Sequence, residues 1–89
     1  MILVVDDEEA YRELLAKILT RAGYEVVQAA DGFEALSLLQ KSKIELVISD
    51  ILMPGMNGYA LVARLRAKWP SMPVILTTGF LTRICWMAQ

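Results

Sequence analysis

The chain has 89 residues, room for one domain, and its 56% apolar and 21% charged side chains suffice for a hydrophobic core, which excludes disorder from low hydrophobicity. Nine Lys and Arg against ten Asp and Glu leave a net charge of −1 with the basic residues scattered, which argues against nucleic-acid binding by this chain alone. There is no histidine and a single cysteine, Cys85, so imidazole ligands, Ser-His or Cys-His nucleophiles and an internal disulfide are excluded, and chemistry must run on carboxylates, hydroxyls or the backbone.

Residues 1–5 are a short apolar run rich in Ile and Val that stops at Asp6, Asp7, Glu8 and Glu9, as expected of a strand covered on both faces. The run is far short of the roughly 20 residues that cross a bilayer, so a cytoplasmic protein without a membrane span is expected. From Glu8 the period changes. Tyr11, Leu14, Leu15, Ile18, Leu19 and Ala22 follow the spacing of an amphipathic helix, and Gly23 supplies the stop. Residues 24–30 read as a second strand. Asp31 with Glu34 resembles a capping box opening a helix through Phe33, Ala35, Leu36 and Leu39. Residues 44–48 form a third apolar run that leads to Asp50 and a turn-rich segment, 53–58, in which Asn57 is placed to cap the next helix, about 59–68. Pro70 and Pro73 punctuate before a fourth strand, 74–77. Strands alternating with helices predict right-handed crossovers and a parallel sheet with helices on both faces, a three-layer α/β domain.

Asp6 and Asp7 end the first strand and Asp50 follows the third. Taken singly, each reads equally well as a helix cap or a solvated strand end. In an open parallel sheet, however, ligands collect outside the carboxyl ends of the strands, and adjacency of the first and third strands would bring three carboxylates together. Such a group calls for a hard divalent cation with oxygen ligands, Mg²⁺ first among them, and Mg²⁺ commonly shares its shell with phosphate.

Three motifs, Ile2-Leu3-Val4-Val5-Asp6-Asp7-Glu8, Val47-Ile48-Ser49-Asp50-Ile51-Leu52-Met53-Pro54-Gly55-Met56-Asn57-Gly58 and Pro73-Val74-Ile75-Leu76-Thr77-Thr78-Gly79, resemble the receiver domain of two-component response regulators. The resemblance implies a flavodoxin-like fold with strand order 2-1-3-4. It implies a phosphorelay receiver in which Asp50 accepts a phosphoryl group from a sensor histidine kinase or phosphotransfer protein. It also implies Mg²⁺ held by Asp7, Asp50 and the Leu52 carbonyl, with Asp6 acting through water, and Thr78 as the switch hydroxyl, Thr77 being the alternative one residue away. Such a domain is not an enzyme, because the group ends on its own side chain. A flavin-binding relative is disfavoured, since the acids would repel the flavin phosphate.

The resemblance also implies a fourth helix, a fifth strand, a fifth helix and a lysine that pairs with the phosphoryl group. Lys17, Lys41, Lys43 and Lys68 do not match that lysine. Residues 1–80 therefore read as a receiver truncated after the fourth strand, and 81–89 as an atypical apolar tail. On that reading the fourth strand is an exposed edge, and a homodimer through it or through the tail is expected. Leu81, Ile84, Cys85 and Ala88 have helical spacing that predicts a short helix, with Trp86 as an interface anchor. The alternative function is a phosphorylation-impaired dimerisation or decoy module.

Overall fold

Alternation along the apolar strands sorts their side chains to two sides of one sheet. In the computed structural model, which describes residues 1–78 and 81–87 and side chains through residue 77, the elements are β1 (Ile2–Val5), α1 (Glu9–Arg21), β2 (Val26–Ala29), α2 (Gly32–Lys41), β3 (Leu46–Asp50), α3 (Gly58–Lys68), β4 (Val74–Thr78) and β5 (Leu81–Met87). Leu3, Val5, Val47, Val74 and Leu76 point to one side, where Ala35 and Leu39 of α2 and Leu61, Val62 and Leu65 of α3 close the larger core. Ile2, Val4 and Ile48 point to the other, against Leu15 and Leu19 of α1. β1 is buried along its whole length, as its unbroken apolar run requires.

The sheet order is β2-β1-β3-β4-β5, and the first four strands are parallel. This is the three-layer, flavodoxin-like arrangement with order 2-1-3-4 that the resemblance implied. Two helix starts form as read. Asp31 accepts the Glu34 N–H at 2.8 Å while the Glu34 carboxylate accepts the Ala30 N–H, and Asn57 accepts the Ala60 N–H at 2.8 Å. Strand limits shift where packing and pairing part company. Ile44 is buried, but its N–H donates to Ser42, so the apolar run begins before the pairing of β3 does.

The end of the sheet corrects the sequence reading. β5 pairs antiparallel with β4, from Val74 opposite Met87 to Thr78 opposite Leu81, with an irregularity between Thr77 and Thr78. Residues 81–87 are thus a strand and not part of a short helix. β4 is paired on both sides and is not an edge, so the expected dimer through β4 has no free edge to use. Val74 and Leu76 of this strand are fully buried. The physical reason is the row of backbone donors and acceptors that β4 would otherwise leave open. An extended segment containing Thr82, Ile84 and Trp86 satisfies that row, whereas a helix would satisfy only itself. Among the described residues no helix is long and apolar enough to cross a membrane.

Candidate functional site

β1 and β3 are parallel neighbours with Val5 opposite Ser49, so Asp6 and Asp50 leave the sheet side by side at its carboxyl end. Asp7 follows at once. Carboxylate oxygens of Asp6, Asp7 and Asp50 all lie within 4.8 Å of one another. Asp6 is 4% exposed and Asp50 8%, while Asp7 is open to solvent. The N-cap of α1 is Glu8, which makes no side-chain capping bond; Asp6 instead accepts the Glu8 N–H at 2.9 Å.

Burial pushes the Asp6 and Asp50 carboxyls above the usual carboxylate range, and neighbouring acids push the same way: Asp50, Asp7 and Glu8 on Asp6, Asp7 on Asp50. Backbone N–H groups, Glu8 for Asp6 and Leu52 and Ile51 for Asp50, partly oppose the rise. An oxygen-only donor set of three acids, two of them desolvated, fits a hard divalent cation, which would reverse the mutual repulsion.

The loop after β3 is fixed from beneath. Met53 and Met56 are buried, Gly55 takes φ +81°, a conformation a side chain would strain, and Leu52 points outward at 74% exposure. The Gly58 N–H donates to the Ile51 carbonyl at 2.9 Å, and a Cβ on Gly58 would lie 2.6 Å from the Asp50 carbonyl oxygen. The first residue of α3 is therefore glycine because the backbone behind Asp50 leaves no room for anything larger.

The response regulator receiver domain, as a family, matches residues 2–84. This chain belongs to the receiver-domain family. It is 47% identical over 79 residues to the sensor histidine kinase RcsC of Escherichia coli K12, covering 89% of this chain and 8% of that protein. It is 47% identical over 78 residues to the probable transcriptional regulator ycf27 of Cyanophora paradoxa, covering 88% of this chain and 32% of that one. Among solved structures, the response regulator TrrA of Thermotoga maritima, in complex with Mg²⁺-BeF, superposes with a TM-score of 0.81 at 39% identity, covering 91% of this chain and 76% of TrrA. The chain thus spans a small part of the curated proteins it matches.

In this receiver, β4 pairs with β3 so that Thr77 lies opposite Asp50 and Thr78 stands one residue beyond, at the carboxyl rim. The Thr78 hydroxyl and residue Gly79 lie outside what the structure describes. Leu52 sits beside the cluster, its N–H 3.4 Å from an Asp50 carboxylate oxygen. The lysines lie on α1 (Lys17), at the last turn of α2 (Lys41), in the following loop (Lys43) and at the end of α3 (Lys68). Sequence reasoning missed Arg12, whose guanidinium donates to the Asp6 carbonyl at 2.8 Å and to the Gln28 side chain at 3.0 Å. No local pattern announces that contact. The close approach of Gly58 was half visible, as one of the glycines in the turn-rich segment.

Proposed function

We propose that this receiver accepts a phosphoryl group on Asp50 from the phosphohistidine of a sensor histidine kinase or phosphotransfer protein. The observation that carries the reading is the convergence of three carboxylates within 4.8 Å at the carboxyl ends of β1 and β3. Asp7, Asp50 and the Leu52 carbonyl would hold Mg²⁺, with Asp6 acting through water. When bound, the ion supplies charge neutralisation for the transferring phosphoryl group. An Asp50 carboxylate oxygen attacks phosphorus, the P–N bond to the donor imidazole breaks, and the imidazole leaves with a proton. Asp50 is nearly buried at the end of β3, and the loop anchored by Met53 and Met56 keeps Leu52 in place beside it. Thr78, at the end of β4, would donate its hydroxyl to a phosphoryl oxygen.

On this reading the domain is a phosphoacceptor and not an enzyme, and a cytoplasmic location goes with it because the phosphoryl group traces back to ATP. Self-association through β4, the other partner read from the sequence, has no free strand edge there, because β4 is paired on both sides; association through the tail is the route still proposed. The alternative reading is a phosphorylation-impaired dimerisation or decoy docking module, which would keep the fold and the acidic cluster without accepting the phosphoryl group.

Beryllofluoride, which mimics a phosphoryl group on a carboxylate, separates the two. Fluorine NMR of the Mg²⁺-treated protein should show a bound signal that disappears in Asp50→Asn and in chelator. Absence of that signal from a wild-type protein that does bind Mg²⁺ would favour the docking module.

A further inference from the structure

Asp7 is the exposed member of the cluster, and it lies between the end of β1 and the start of α1. Among the described residues no hydrogen bond holds its side chain, so the surrounding structure fastens Asp7 through the backbone that carries it. That backbone is fastened at the preceding residue. The Asp6 N–H donates to the Ala29 carbonyl of β2 at 3.1 Å, and an Asp6 carboxylate oxygen accepts the Glu8 N–H. The Asp6 carbonyl, finally, accepts Nη1 of Arg12. The carbonyl of Asp6 and the N–H of Asp7 belong to one planar peptide unit, so holding the oxygen fixes the plane from which the Asp7 side chain departs.

Arg12 is itself held at a second point, because Nε donates to Gln28 of β2. A guanidinium presents its donors in one rigid plane, so two simultaneous bonds define its orientation, which a lysine could not reproduce. Its two acceptors are a neutral backbone carbonyl and a neutral side-chain amide, and among the described residues no ion pair joins it to a carboxylate of the cluster. An arginine that paired with those carboxylates would compete with a divalent cation. This one supports the cluster and leaves its oxygens available.

We propose that Arg12 is a positioning residue for the acidic cluster, fixing the peptide unit between Asp6 and Asp7 against β2 and thereby holding the Asp7 backbone where its carboxylate reaches Asp50. The proposal rests on the reading of the cluster as a divalent-cation site. A purely structural strap between α1 and β2 would affect stability without a selective effect on metal affinity.

The test combines Mg²⁺ titration calorimetry with amide-exchange NMR of Asp7 in chelator, on wild type, Arg12→Met, Arg12→Lys and Gln28→Leu. Arg12→Met should weaken Mg²⁺ binding about tenfold, the usual scale for groups that orient metal ligands, and should speed exchange of the Asp7 amide. Arg12→Lys, with one donor left for the carbonyl, should recover part of both. Gln28→Leu, at an exposed position, should give a smaller loss of the same sign and serves as the readout if Arg12→Met does not fold. Wild-type affinity and wild-type Asp7 exchange in the folded variants would overturn the proposal. Failure of the wild type to bind Mg²⁺ would instead sink the cation-site reading. The Asp7 exchange rates would then decide the positioning claim alone, unchanged rates overturning it.

Discussion

Asp50 closes a buried strand with a desolvated carboxylate beside Asp7, so its ionised form is disfavoured while no cation is bound. Its folded pKa lies above the unfolded value, which means that the folded state holds the proton more tightly. The stabilising contribution of that proton is fully present below the unfolded value, near 3.8, and is lost as pH rises through the folded pKa. In chelator at neutral pH, Asp50→Asn should therefore melt a few degrees above wild type, and the advantage should shrink as pH falls toward the unfolded value. A variant that melts no higher than wild type at neutral pH would contradict this account. At this scale the acids were legible because their position at strand ends carries the meaning. Arg12 was not, because its partner Gln28 is 16 residues away and meets it only once β1, α1 and β2 have folded.

Helices were the most legible elements, since their apolar period and their caps are both local. Asn57 is the clearest case: its side chain accepts the Ala60 N–H at the start of α3, and the next residue, Gly58, packs directly on the Asp50 backbone. Asn57→Ala should cost about 1 kcal/mol in denaturant unfolding, the ordinary value of a lost N-cap, whereas Asn57→Asp should retain most of it. Equal stability of Asn57→Ala and wild type would show that α3 is held by packing alone. The segment 81–87 was misread for an equally physical reason. Four apolar residues at helical spacing compete with a strand edge that demands partners, and the demand comes from β4, whose exposure no local pattern within 81–89 reveals.

For the whole molecule, strand and helix alternation dictated a parallel sheet but not its order. The order came from the motif resemblance, and the structure agrees with it for the four parallel strands while adding an antiparallel fifth. That order is what makes β1 and β3 neighbours and turns three scattered acids into one site. Phosphoacceptance on Asp50 is the central claim, and intact mass after incubation with Mg²⁺ and a small-molecule phosphodonor tests it most directly. The account predicts a gain of one phosphoryl group in wild type and none in Asp50→Asn. No gain in wild type under conditions where Mg²⁺ is bound would contradict it.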